Sequence, residues 1–271
     1  MPGGQTIDAV GADAPTAEGA PPALELRGIS KAFGGVQALD HVDMHLRRGE
    51  VVAIVGDNGA GKSTLIKAIA GIQPMDAGTV LFDGAPVVIE SPKDATSLGI
   101  QTVYQDLALC DNLDAVKNLF LGREVRASLL LGRRLSRPAM EHRATQVLEQ
   151  LGVTLRSLRT PVGRLSGGQR QSIAICRSIL SDPSVVLLDE PTAALGVAQR
   201  RQVLELIRRL RSQNRAVMVI SHDLHDVRDV ADRVYVLRLG RRVAEFHRGG
   251  FTTEQLVAAI TGIADAPGGA A

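Results

Sequence analysis

The stretch Gly56-Asp57-Asn58-Gly59-Ala60-Gly61-Lys62-Ser63-Thr64 decides the fold of this chain. An apolar run over residues 51–55 precedes it, and a helical pattern with Leu65, Ile66 and Ile69 on one face follows it. The stretch therefore lies at a turn from a strand to a helix. In that context the pattern G-x-x-x-x-G-K-[ST] binds phosphate, because its glycines let successive backbone N–H groups surround phosphate oxygens at a helix N-terminus.

This phosphate loop predicts a site for a polyphosphate. We expect all nine residues, Gly56 to Thr64, to hold the polyphosphate. Lys62 is expected to reach the terminal phosphates as a point charge, and the Ser63 hydroxyl is expected to coordinate Mg²⁺. The alternative is a glycine-rich turn with an accidental lysine, so the motif stays a hypothesis until its structural context supports it.

Composition limits the classes of protein to which the chain can belong. Its 271 residues, 45% of them hydrophobic, can form one large domain or two small ones. Aromatic residues make up 3% and Trp is absent, which disfavours the stacking platforms of single-strand binders. The net charge is +2, and the arginine pairs are scattered and mostly near acids. Solvated faces explain these pairs better than a nucleic-acid or lipid patch.

Cellular location is predicted from the cysteines and from the hydropathy pattern. Cys110 and Cys176 lie in unrelated contexts without ligand spacing, so neither a zinc site nor a disulfide framework is indicated, and a reducing, cytoplasmic setting fits best. No apolar stretch approaches the ~18 residues needed to cross a bilayer, and the N-terminus lacks the order of a signal peptide. If the protein works at a membrane, we expect another chain to supply the span.

The predicted architecture is α/β: a P-loop, RecA-like core sheet with an antiparallel β flank and an inserted α-helical subdomain. Residues 1–22 and 266–271, rich in Gly and Ala, are expected to be disordered tails around one domain over residues 23–265. The helical subdomain is expected over about residues 106–181.

The pattern of apolar residues and turn signals places the individual elements. A turn is expected over 31–35, and residues 126–135 are the least readable piece. Strands are predicted over residues 24–29, 36–46, 51–55, 78–84, 86–89, 100–104, 185–190, 216–220, 235–239 and 242–246. Helices are predicted over residues 63–69, 92–98, 114–120, 136–151 with Ser136 as its cap, from about 170, 197–210, and from a capping box at Thr252 to 260.

A second motif, Leu165-Ser166-Gly167-Gly168-Gln169, precedes the helix expected from about Arg170. Its hydroxyl and glycine N–H groups again lie at the positive end of a helix. With the phosphate loop and this pentapeptide together, the sequence resembles the ATP-binding cassette (ABC) ATPases, in which the pentapeptide is the signature. The resemblance covers about residues 24–263 and implies that Ser166, Gly167, Gly168 and Gln169 contact ATP.

The same resemblance implies roles for five more residues. Asp189 resembles the Walker B aspartate that holds Mg²⁺, and Glu190 the catalytic base that polarises the attacking water. Gln105 matches the glutamine that joins core to lobe and senses Mg²⁺ and water. His222 matches the histidine that contacts the γ-phosphate, and Phe33 the ring that stacks on adenine.

Without the family register, each of these five residues has a plainer interpretation. The strand could merely end in acids, Gln105 could be a surface residue, His222 could be a structural hydrogen-bonding residue, and Phe33 could pack in the core.

One departure from the family pattern narrows the resemblance. After Glu190-Pro191-Thr192 the family usually has Ser-Ala-Leu-Asp, whereas this chain has Ala193-Ala194-Leu195-Gly196 and so lacks the D-loop aspartate. This variant, with Asp57-Asn58 in the phosphate loop and the run over residues 118–124, is similar to monosaccharide-import ATPases of the ribose, xylose and fructose type. Many of those carry two fused cassettes, and this chain has one set of motifs.

The resemblance therefore implies that a second copy of the chain completes each ATP site, with the signature of one cassette closing over the phosphate loop of the other. The expected function is ATP hydrolysis that drives sugar import at the cytoplasmic face of the membrane. The expected partners are a second cassette, membrane permeases and, indirectly, an external sugar-binding protein; nucleic acid is not expected. The alternatives are an exporter ATPase, or a soluble ABC ATPase that acts on DNA or ribosomes.

Overall fold

The computed structural model describes residues 20–127 and 134–263. Its strands are β1 (Leu24–Phe33), β2 (Val36–Leu46), β3 (Val51–Val55), β4 (Ala77–Phe82), β5 (Ala85–Val87), β6 (Ile100–Val103), β7 (Val185–Asp189), β8 (Ala216–Ile220), β9 (Arg233–Arg238) and β10 (Arg241–His247). Its helices are α1 (Lys62–Ile69), α2 (Pro92–Ser97), α3 (Ala115–Phe120), α4 (Arg137–Gln150), a 3₁₀ turn (Val162–Arg164), α5 (Gly167–Ile179), α6 (Val197–Ser212), α7 (Leu224–Val230) and α8 (Thr253–Thr261).

Two sheets form the scaffold. The smaller is antiparallel with the order β2-β1-β4-β5, and the larger has the order β10-β9-β3-β8-β7-β6. In the larger sheet β9, β3, β8, β7 and β6 run parallel, and β10 pairs antiparallel with β9. The predicted parallel core sheet with an antiparallel flank is therefore confirmed.

The central strands of the larger sheet are buried on both faces, which explains why β3, β7 and β8 read as continuous apolar runs. On β7, Val186 and Leu188 pack into a cluster that includes side chains from α3, α4, α5 and α6. Val185 and Leu187, which alternate with them, pack into a second cluster with α1 and the smaller sheet. The strand that leads into the phosphate loop, β3, is buried at all five positions, so the loop is mounted on a rigid support.

Helices α3, α4 and α5 lie between β6 and β7 in the chain and pack on one another. The buried side chain of Asn118 on α3 holds the segment that precedes this helix: its Oδ1 accepts from Cys110 N at 2.8 Å and its Nδ2 donates to Cys110 O at 3.0 Å.

Helices α3, α4 and α5 form the predicted helical region. Its limits of 106–181 stay a prediction, as do the limits of the whole domain. Apart from residues 20–22, the predicted tails lie outside the described residues. Residues 128–133, in the middle of the least readable piece, also lie outside them.

Two sequence-based element predictions were wrong. The expected turn over 31–35 is largely strand, because Phe33 pairs with Val36 across the two-residue turn Gly34-Gly35. Helix α5 begins at Gly167 rather than near Arg170, because Ser166 and Gln169 form a capping box that starts the helix three residues earlier.

Two helix signals behaved differently from expectation. Ser136 occupies the N-cap position of α4, but its side chain makes no capping hydrogen bond. Helix α7 was missed, because it is short and polar. The residue that could have indicated this helix is Asp223, whose carboxylate caps it by accepting from His225 N and Asp226 N.

Within the described residues, no helix is long and apolar enough to cross a bilayer.

Candidate nucleotide-binding and catalytic site

Four predicted site segments meet at one edge of the larger sheet. The phosphate loop follows β3, Gln105 follows β6, Asp189 and Glu190 end β7, and His222 follows β8. Since these strands are parallel and in the order β3-β8-β7-β6, their carboxyl ends lie at the same edge. The fold thus gathers residues that are more than 160 positions apart, from Gly56 to His222.

The phosphate loop is fixed in place by β2 and by the turn between β9 and β10. Gly61 has φ +103°, and a Cβ there would lie 2.5 Å from the Ala38 carbonyl oxygen. Gly240 N donates to Ala60 O at 3.1 Å, and Asp40 N donates to Gly240 O at 2.8 Å. Sequence reasoning missed these supporting residues because their contacts cross between the two sheets and leave no local pattern.

Lys62 is the first residue of α1 and bends back over the loop. Its Nζ donates to Gly56 O at 2.6 Å and to Asp57 O at 2.8 Å. Partial burial lowers the pKa of Lys62, while the charges of Glu190, Asp57 and Asp189 oppose that shift. The ammonium is therefore close to both strand-end carboxylates and to the space that the loop encloses, and Ser63 beside it is exposed.

Asp189 is a half-buried carboxylate, and the nearby lysines only partly offset the effects of its burial and of the Glu190 charge. Burial raises its pKa and the neighbouring Glu190 charge adds to the increase, whereas Lys67 and Lys62 lower it. Its carboxylate and the exposed Ser63 hydroxyl are hard oxygen donors. Mg²⁺ takes one or two protein oxygens and completes its shell with phosphate and water, so this donor set fits Mg²⁺.

Glu190 and His222 contact each other. Nδ1 of His222 lies 2.8 Å from Oε2 of Glu190, and the side chains are 71% and 15% exposed, respectively. Glu190 has φ +49°, a strained conformation for a non-glycine residue, and its N–H donates to Ile220 O at 3.0 Å. A carboxylate held at an open edge beside an imidazole is suited to accept a proton from water.

Gln105 lies at the border of this edge, and Phe33 lies at the end of β1 in the smaller sheet. Gln105 is exposed just beyond β6. Its neighbour Tyr104, which sequence reasoning did not select, has a pKa raised by burial and further by the Asp189 charge. Phe33 is 44% exposed, so core packing was the wrong alternative for it. Lys31 Nζ lies 5.4 Å from its ring centroid, and the ring has an accessible face for stacking.

The signature residues are not part of this cluster. Ser166 Oγ accepts from Gln169 N at 3.3 Å, and Ser166 N donates to Gln169 Oε1 at 3.1 Å, so the two residues cap α5. Both line a separate groove of about 1040 Å³, together with several residues between 151 and 165 and one side of α6. No residue of the phosphate loop lines that groove. The two motifs therefore lie in different parts of the described chain.

Gly168 of the signature has a packing role that the motif alone did not show. A Cβ at Gly168 would lie 2.8 Å from the Cβ of Gln199 on α6. The close approach of α5 to α6 therefore requires glycine here.

A strand-mounted phosphate loop, a Walker-type carboxylate pair and an inserted helical lobe define a P-loop ATPase of the cassette type. Comparison with known families agrees: the sequence model described as "ABC transporter" matches residues 39–193. The chain belongs to the ABC transporter family, as its ATP-binding, ATP-hydrolysing cassette.

Several known ATP-binding proteins are similar to this chain over most of its length. It is 44% identical to the fructose import ATP-binding protein FrcA of Rhizobium meliloti, over 91% of this chain and 96% of that protein. It is 42% identical to the xylose/arabinose import ATP-binding protein XylG of Sulfolobus acidocaldarius, over 89% and 94%. The galactofuranose transporter ATP-binding protein YtfR of Escherichia coli K12 is 43% identical over 80% of this chain but only 42% of its own length.

Solved structures share the fold. A nucleotide-free ATP-binding cassette from an ABC transporter superposes with a TM-score of 0.76 at 26% identity, covering 89% of this chain and 96% of that one. A bacterial ABC transporter cassette solved as a dimer has a TM-score of 0.70 at 26% identity, covering 84% of this chain and all of that one.

Proposed function

We propose that this chain energises the import of a monosaccharide by binding and hydrolysing Mg·ATP as a homodimer at the cytoplasmic face of a membrane. The observation that carries the proposal is the convergence of Lys62, Asp189, Glu190 and His222 at one sheet edge. The sugar-import relatives that match nearly end to end support the choice of cargo.

The proposed catalysis is positioning plus charge neutralisation, as is usual for phosphoryl transfer to water. The N–H groups of the loop and Lys62 hold the phosphates, with adenine stacked on Phe33. Asp189, Ser63 and Gln105 would hold Mg²⁺, which neutralises charge on the phosphates when bound. Glu190 takes a proton from the attacking water, and His222 contacts the γ-phosphate while orienting the Glu190 carboxylate.

A homodimer is proposed because the signature and the phosphate loop lie in different parts of one chain. No residue of the phosphate loop lines the groove beside Ser166 and Gln169. Ser166 and Gln169 would therefore reach only the ATP that is bound by a second copy of the chain. The similarity to a cassette solved as a dimer supports this arrangement.

The proposed permease contact is a cleft of about 270 Å³ between β6 and the helical lobe. Its lining includes Gln101, Tyr104, Arg123 and Arg177. Arg177 donates to Leu107 O at 2.8 Å and to Ala108 O at 2.9 Å. The lobe and the segment that follows Gln105 are thereby joined, and a permease bound here would respond to movement of both.

Reconstitution tests the proposal. The chain is purified with its cognate permease from membranes and placed in vesicles with the external binding protein and single sugars. We expect one monosaccharide to accelerate ATP hydrolysis and to be taken up into the vesicles. Outward movement of substrate would identify an exporter instead, and recovery with ribosomes or DNA rather than permease would identify the soluble class.

A further inference from the structure

A charged cluster lies directly behind the loop that carries His222. It consists of Arg200 on α6 and of Asp223 and Asp226 at the start of α7. Arg200 Nη1 donates to Asp223 Oδ2, and Arg200 Nε lies 3.6 Å from Asp226 Oδ2. No sequence pattern connects these residues, since 23 positions separate Arg200 from Asp223.

The Asp226 end of the cluster is buried, whereas the Arg200 and Asp223 side chains are partly exposed. Asp226 is 5% exposed, and burial raises its pKa while the Thr192 hydroxyl opposes that shift. Among the described residues, neither Asp226 Oδ2 nor Arg200 Nε has a hydrogen-bond partner, although the two atoms are 3.6 Å apart. Their separation exceeds an ordinary N–H···O distance by about 0.7 Å. Arg200 and Asp226 therefore form an ion pair without a direct hydrogen bond between these two atoms.

Asp223 connects the cluster to His222. Its N–H donates to Ser221 Oγ at 3.0 Å, and its carboxylate caps α7. His222 lies between Ser221 and Asp223 in the chain, and its side chain is 71% exposed. Little packing therefore fixes the imidazole, and its position follows the backbone from Ser221 to Asp223, which Arg200 anchors.

The same turn of α6 also contacts the signature motif. Gln199, next to Arg200, packs against Gly168 so closely that no Cβ fits between them. Gly196, at the N-cap of α6, offers no side chain for either contact. In this chain, then, the first turn of α6 is the element that touches both the signature and the histidine loop.

We propose that Arg200 is a positioning residue for ATP hydrolysis: through Asp223 and Asp226 it places His222 against Glu190, and α6 links that placement to the position of the signature. This inference rests on the proposed role of His222.

The test compares ATP hydrolysis by the full chain with its permease for Arg200→Met, Arg200→Lys and the control Arg201→Met. Arg201 is the adjacent exposed residue of α6 and has no carboxylate within 4.0 Å among the described residues. We expect Arg200→Met to lower kcat about tenfold with KM for Mg·ATP unchanged, Arg200→Lys to recover part of the loss, and Arg201→Met to stay within about twofold of wild type.

Epistasis separates positioning from mere stability. In a His222→Ala background, measured by single-turnover hydrolysis, Arg200→Met is expected to cause no further loss. The His222 ring signals in NMR, assigned by their absence from His222→Ala, are expected to shift in Arg200→Met and not in Arg201→Met.

An equal loss in both backgrounds, unmoved ring signals, or a lower Tm with unchanged kcat would overturn the inference. If His222→Ala itself keeps full kcat, the proposed role of His222 fails instead. A normal Arg200→Met beside a slow His222→Ala defeats only the inference about Arg200.

Discussion

Nδ1 of His222 lies 2.8 Å from Oε2 of Glu190, although the two residues are 32 positions apart. The register of two parallel strands produces this contact, since Asp189 at the end of β7 pairs with Ile220 at the end of β8. One residue beyond Asp189 and two beyond Ile220, the carboxylate and the imidazole meet at the open edge. The pair is the chemical centre of the proposed site, and its acidic member can be tested alone.

Glu190→Gln is expected to bind ATP with an affinity within a few-fold of wild type and to hydrolyse it about 10²–10⁴ times more slowly. The amide keeps the shape and can still hydrogen bond to His222, but it cannot accept a proton from water. Phosphate release by the permease-bound protein and equilibrium nucleotide binding measure the two effects. Near-normal turnover would rule out Glu190 as the base.

Gly168→Ala is expected to destabilise the fold by about 1–3 kcal/mol, because the new methyl group would lie 2.8 Å from Gln199 Cβ. Urea unfolding measures the change. Gly35→Ala is the matched control: no atom lies within 4 Å of a Cβ there, and its φ is not in the left-handed region. Equal midpoints for both variants would contradict the packing role of Gly168.

Gly196→Asp is expected to stabilise the protein by a few tenths of a kcal/mol to about 1 kcal/mol. Gly196 is the N-cap of α6 with φ −69° and ψ 162°, and a Cβ there meets no atom within 4 Å. An aspartate would cap exposed N–H groups at the positive helix end. Gly196→Ala, which adds a Cβ without a cap, should instead be slightly destabilising. A lower urea midpoint for Gly196→Asp than for Gly196→Ala would refute the capping argument.

His45 is expected to make stability fall as the pH is lowered below neutrality. Burial, and then the charge of Arg233, lower its pKa to about 4, and Arg233 Nη1 lies 2.6 Å from its Nε2. An unfolded histidine titrates near 6.5, so between that value and about 4 only the unfolded chain takes up the proton. The stability present above pH ~6.5 therefore decreases toward pH ~4, by roughly 1–2 kcal/mol because solvent screens the half-exposed ring.

Urea unfolding at about pH 7 and about pH 5 checks this, with His45→Gln as the comparison. The amide oxygen can still accept from Arg233 but does not titrate in this range. The difference in unfolding free energy between the two pH values should shrink in His45→Gln. An unchanged difference would show that other groups cause the pH dependence.

Motifs with a local mechanism were predictable from the sequence. The phosphate loop lies between a strand and a helix, as predicted, because its strand, its glycines and its helix start are contiguous. The capping box at Thr252 also forms as expected. The start of α5 was placed too late, because Ser166 and Gln169 were assessed as ligand residues and not also as a cap. Helix α7 was missed because seven polar-rich residues carry too little periodicity to predict a helix.

The sequence alone predicted the parallel α/β core from burial patterns and turn chemistry, which depend on short-range order. Through the two motifs and the family resemblance it also predicted the ATPase family and the residues proposed for the catalytic edge. Only the tertiary structure decided that Glu190 contacts His222, that Ala38 and Gly240 support the phosphate loop, that Gly168 packs on Gln199, and that Arg200 faces Asp226. The physical reason is that strand order and interhelical distance place these side chains together. Sheet pairing and close packing set both quantities across many residues at once, and no local stretch of sequence encodes them.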